Sequence, residues 1–92
     1  MAVAVLPETE ASLMQTLRTT KDQGKRLTLA HDGNTRFPDG TGASERTAII
    51  VEALFALDRA PEGRTEASTF LEAHPDDPWA KHIRSYTGIH TH

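Results

Sequence analysis

Apolar positions are densest between residues 45 and 59. There Ala48, Ile49, Ile50, Val51, Ala53, Leu54, Phe55, Ala56 and Leu57 leave only Glu45, Glu52 and Arg59 as a clean polar stripe. At about 100° per residue, the arc from Ile49 round to Phe55 covers about 240°, whereas a surface helix needs little more than about 100°. The pattern predicts a long helix over 45–59, hidden from water on most of its circumference. Ile49, Ile50, Val51, Leu54, Phe55 and Leu57 then belong to the core or to a homodimer interface. Ser44 is placed to cap this helix, with Glu45 in its first turn.

Upstream, residues 2–6 read as a short strand, and Pro7 opens a helix over 8–22. Leu13, Met14 and Leu17 give that helix one apolar face, and Gly24 is expected as its stop. Residues 26–37 read as a β-hairpin around Asp32-Gly33. A three-residue loop sorts the faces: Leu27, Leu29, Thr35 and Phe37 point inward, and Thr28, Ala30, Asn34 and Arg36 outward. Downstream, Pro61 and Gly63 break the chain, and Thr65 caps a short helix over 66–73. Asp77-Pro78 starts a last helix over 78–87, with Trp79, His82, Ile83 and Tyr86 on one face. Gly88 stops it, and 88–92 is expected as a flexible tail. The expectation is one α+β domain over 1–92: a hairpin packed with a buried helix, an N-terminal helix and two short C-terminal helices.

Composition changes this picture little. A chain of 92 residues, 37% apolar and 25% charged, fits one hydrophobic core. It has no cysteine, so thiolate chemistry and disulfides are out. The apolar opening Ala2–Leu6 is too short to span a membrane, and a cytoplasmic location is expected. The net charge of −3 is uneven. Residues 18–36 carry Arg18, Lys21, Lys25, Arg26 and Arg36 against Asp22 and Asp32, a net +3 that leaves −6 for the rest. Such segregation suits an oriented electrostatic partner.

No residue pattern calls for a catalytic, metal or cofactor site. His31-Asp32 is accounted for by the turn, His82 by packing, and Asp76-Asp77 by helix capping. The terminal pair His90 and His92 supplies two imidazoles where structural zinc wants four ligands. The loop from Asp39 to Ser44 can offer amides to an anion, but it lacks the lysine of a phosphate-binding loop.

The stretch from Thr41 to Leu54, a Gly/Ser turn leading into an Ile/Glu/Ala/Leu-rich helix, resembles the second helix of ribbon–helix–helix DNA-binding proteins. That resemblance implies a dimer reading the major groove with a strand from each subunit. The family's order is strand, helix, turn, helix; here a hairpin and a Pro-Gly loop come first, and the family's base-reading residues are not carried over.

Three functions are consistent with these readings. The first is a non-enzymatic regulator that binds a partner protein, as antitoxins, inhibitors and accessory proteins of mobile elements do. Its surface would be the basic hairpin: Lys21, Lys25, Arg26, Thr28, Asn34 and Arg36. The second is a ribbon-type DNA binder, with Thr28, Asn34 and Arg36 at base edges and Lys21, Lys25 and Arg26 at phosphates. The third is a small enzyme subunit.

Overall fold

A computed structural model describes residues 9–89, which form five helices and no strand. They are α1 (Glu10–Thr19), α2 (Gln23–Arg36), α3 (Ala43–Ala56), α4 (Ala60–Ala73) and α5 (Pro78–Thr87). Over the described residues the fold is all-α, not α+β. The expected strand over 2–6 and the His90/His92 pair lie outside the described residues.

The hairpin expected over 26–37 is α2. Asp22 caps it, its Oδ1 accepting the Lys25 amide at 2.9 Å. Leu27, Ala30 and Gly33 recur every three residues and are the buried ones, with Phe37 partly buried beyond them. The helical period therefore wins over the alternation of Leu27 and Leu29. Gly33 serves a close approach rather than a turn. A Cβ there would stand 2.5 Å from Cδ of Arg46 and 2.9 Å from Leu13. Without the hairpin, the two sorted faces do not exist, and neither does the ribbon that the DNA-binding arrangement requires.

Other boundaries move for equally local reasons. Thr9 caps α1, its hydroxyl accepting the Ser12 amide at 3.1 Å. Thr20 ends α1 in extended backbone, so Gly24 is no stop and falls in the first turn of α2. Gly42, not Ser44, holds the capping position of α3. α3 finishes at Ala56, and Asp58 turns the chain with φ 63°. Pro61 and Gly63 lie inside α4, which begins at Ala60 rather than near 66. Proline is tolerated there because first-turn amides have no partner within the helix. Gly63 lets α4 approach Phe55, whose ring carbons stand 2.6 Å from where a Cβ would be. The start of α5 is as its sequence indicates: Asp77 Oδ1 accepts the Trp79 amide at 2.8 Å. Gly88, at φ 73°, closes it in the left-handed region.

α3 holds the fold together. Ile49, Ile50, Ala53 and Leu54 pack with Leu13, Met14 and Leu17 of α1 and Leu27 and Ala30 of α2. Ala48 and Val51 join a second cluster with Ala67, Phe70 and Leu71 of α4 and Ala80 and Ile83 of α5. Each large aliphatic buried this way contributes about 1.5–3 kcal/mol before chain entropy is subtracted. The wide apolar arc is thus covered by the chain itself, and coverage alone does not call for a second copy. Phe55 is only half-buried and Leu57 is exposed.

One polar residue interrupts the apolar arc of α3. Arg46 is 0% exposed, and its whole guanidinium is engaged. Its Nε donates to Asn34 Oδ1 (2.8 Å), Nη2 to the Phe37 carbonyl (2.6 Å), and Nη1 to Glu10 Oε2 (2.5 Å). Glu10 Oε2 also accepts the Gly42 amide at 3.1 Å. Gly33 and Gly42 leave room for this side chain. The clamp joins α1, α2, the α2–α3 loop and α3.

Candidate interaction face

The polar stripe of α3 is Glu45 and Glu52, both partly buried, and each carboxylate reaches a neighbouring helix. Arg18 of α1 grips Glu45 with two parallel bonds, Nε to Oε2 at 2.9 Å and Nη2 to Oε1 at 2.7 Å. The Arg18 hydrogen bonds hold the Glu45 carboxyl below the usual glutamate range, against a partial burial that pushes the other way. Toward α5, His82 Nε2 lies 3.0 Å from Glu52 Oε2. These links tie α3 to α1 at its first turn and to α5 two turns further along the same stripe. α2 and α4 also pack along α3, and His31 of α2 with Glu62 and Glu66 of α4 borders a shallow groove over Leu54.

The α5 end of this face is aromatic. The buried side of α5 is Ala80, Ile83 and Thr87. Trp79, His82 and Tyr86, at i, i+3 and i+7, therefore fall along its flank toward α3. The Trp79 and His82 rings meet edge to face with centroids 5.4 Å apart. His82 stacks on Tyr86 at 6.3 Å, and Tyr86 meets Phe55 of α3 edge to face at 5.6 Å. The Arg64 guanidinium of α4 lies over the far side of the row, 6.0 Å from the Phe55 centroid. Ile83 was read onto the same face as these rings, yet it is 1% exposed while Tyr86 is 43% exposed. Among the described residues, Tyr86 and Leu57 are the exposed large apolar side chains.

The residues expected on the basic hairpin are divided by α2. Lys21, Lys25, Thr28 and Arg36 are exposed. Lys25 and Thr28 border a groove of about 670 Å³ between the end of α1 and the start of α2. Arg36 is paired with Asp32 at 3.2 Å and lies over the Phe37 ring. Arg26 is half-buried, its Nη1 donating to Gln23, and Asn34 is a partner of Arg46. The six do not form one surface.

A cleft of about 460 Å³ opens where the α2–α3 loop, α4 and the start of α5 meet, and Ser44, His74 and Asp77 line it. The Ser44 hydroxyl donates to Asp77 Oδ2 at 2.6 Å, and the other Asp77 oxygen caps α5. The His74 ring packs on Phe70 at 5.3 Å. Asp77 thus already supplies a carboxylate to the two helix starts that converge here, which disfavours a second anion. Among the described residues, no group of three or more His, Asp or Glu side chains is placed to hold a metal ion, and no helix is long and apolar enough to cross a membrane.

The sequence reading missed Arg46 as a structural residue and the aromatic row as a surface. Arg46 projects between Ile50 and Ile49 on a helical wheel, inside the apolar arc, and that placement was its signal. The chain matches no protein-family model, no curated protein and no solved structure.

Proposed function

We propose that the protein is a non-enzymatic binding module that docks a partner protein on its α3–α5 face. The observation that carries this reading is the row Phe55, Trp79, His82 and Tyr86, held ring against ring and open to solvent at Tyr86. Trp, Tyr and Arg are enriched among the few residues that carry most of the energy in protein interfaces. A row already ordered by its own contacts loses little further freedom on binding. Phe55 and Trp79 pack against the second apolar cluster, whereas Tyr86 stays exposed although Ala80, Ile83 and Thr87 already seat α5. The polar groups that could suggest chemistry are explained by structure: Ser44 and Asp77 join two helix starts, and Arg46 is fully partnered. Lys21, Lys25 and Arg36 belong to α2 and the turn before it, outside the aromatic row, and would act by long-range steering rather than contact.

The test compares the wild-type chain with the double variant Trp79→Ala, Tyr86→Ser as bait, with circular dichroism checking that both are folded. A co-purifying protein is then made pure and titrated against both. A loss of affinity of roughly tenfold or more in the variant is expected if these rings are hot spots. Equal affinity of the purified partner for both forms overturns the reading.

A further inference from the structure

We propose that the Glu52–Tyr86 end of this face receives a basic segment of the partner, one Lys or Arg side chain lying on the Tyr86 ring with its charge on Glu52. This rests on the reading above and specifies the partner's chemistry. Glu52 sits beside the aromatic row, its side chain 30% exposed. His82 engages Oε2 alone, and a carboxylate can accept about four hydrogen bonds, so most of its capacity is open. An aromatic face is the negative pole of the ring and attracts a cation within about 6 Å. The molecule already uses the row in this way, since its own Arg64 lies over Phe55. Tyr86, 43% exposed, has no Lys or Arg over its ring among the described residues; only the His82 ring stacks on it, at 6.3 Å.

Charge complementarity decides between occupants. A neutral apolar segment would cover Glu52 and strip its water without offering a donor, a cost that a basic segment avoids. An acidic segment would meet the Glu52 carboxylate, in a chain that carries −6 outside residues 18–36. A basic segment gains from both the ring and the carboxylate.

Trp79 is the single tryptophan of the chain and stands in the row, so its fluorescence reports the site. The probes are a short amidated Arg-Gly repeat peptide and its Glu-Gly and Gln-Gly counterparts. The Arg-Gly peptide is expected to give a saturable change that weakens with salt, and the other two none. Glu52→Gln and, separately, Tyr86→Leu should each weaken binding roughly three- to thirty-fold, the range such contacts carry. Thermal melts confirm that both variants remain folded. No response to the Arg-Gly peptide, or wild-type binding by both Glu52→Gln and Tyr86→Leu, overturns the proposal. A purified partner that needs Trp79 and Tyr86 but binds through a neutral or acidic segment overturns this inference alone. A partner indifferent to both rings overturns the broader reading as well.

Discussion

Gly33 of α2 lies directly beneath the side chain of Arg46 of α3, so that a single methyl group at position 33 would stand 2.5 Å from Arg46 Cδ and 2.9 Å from its Nε. A helix interior ordinarily gains about 0.5–1 kcal/mol when glycine becomes alanine. Here the overlap with a fully engaged guanidinium and with Leu13 should reverse the sign, since overpacking costs about 1–3 kcal/mol. Gly33→Ala is therefore expected to lower stability, read as a smaller urea midpoint with an unchanged slope. A gain would show that Arg46 is free to move aside.

Replacing Arg46 by Met keeps much of the volume but leaves Asn34 Oδ1, the Phe37 carbonyl and the Glu10 carboxylate without their donor. Removing one member of a buried charged network costs about 3–5 kcal/mol, a large share of the about 5–15 kcal/mol that holds a domain together. Arg46→Met should be largely unfolded at body temperature or melt far below the parent by circular dichroism. Arg46→Lys should recover only part of the loss, because one ammonium cannot reach three separated acceptors.

The same clamp sets a pH dependence. The hydrogen bond from Arg46 holds the Glu10 carboxyl below its ordinary 4.5, with the Gly42 amide adding to it and desolvation opposing. Glu45 is lowered by Arg18, and Glu62 by Arg59. In each case the unfolded chain takes up protons first as pH falls. The stability these groups contribute is complete above the unfolded value of 4.5 and is lost as pH drops through the lower folded values. Urea midpoints should be level near neutrality and decline in that acid window, and Glu10→Gln should flatten the decline. An acid limb identical in Glu10→Gln would show that Glu10 does not contribute to it.

Ser44 and Asp77 join the starts of α3 and α5 through one bond of 2.6 Å. Ser44→Ala should lose about 0.5–1.5 kcal/mol, the net worth of a hydrogen bond. Asp77→Ala loses this bond and the α5 cap together, and a cap alone is worth about 0.5–2 kcal/mol. The two changes should be sub-additive in a double-mutant cycle followed by chemical denaturation, since they share the bond.

Gly63→Ala tests the contact behind the aromatic row. The added methyl would meet the Phe55 ring at 2.6 Å and push it toward Tyr86. The expected loss is about 1–3 kcal/mol, with a shift in Trp79 emission as the row rearranges. An unchanged spectrum with full stability would show that α4 yields instead.

How far the sequence could be read depended on whether the signal was local. Asp77-Pro78 and Gly88 bracket α5 because capping and left-handed closure are settled within a few residues. The apolar arc of α3 announced its burial because so few of its positions are polar. Residues 26–37 carried two periods at once, and Asp32-Gly33 tipped the reading to a hairpin. The residue that explains Gly33 is Arg46, thirteen positions later and on another helix, so no window along α2 contains the reason. Proline and glycine at 61 and 63 misled in the same way: one opens a helix and the other admits Phe55. The aromatic row was legible as a spacing, but its exposure was not, because Ala80, Ile83 and Thr87 compete for the inner side of α5 with no large side chain among them except Ile83.

Because α3 lends one flank to each apolar cluster, neither half of the chain carries a complete interior of its own. Melting should be a single cooperative event, and a protease cut within Ala43–Ala56 should release no shorter folded fragment. Any docking surface built on α3 and α5 would then vanish in the same step, so partner recognition and foldedness would be switched off together.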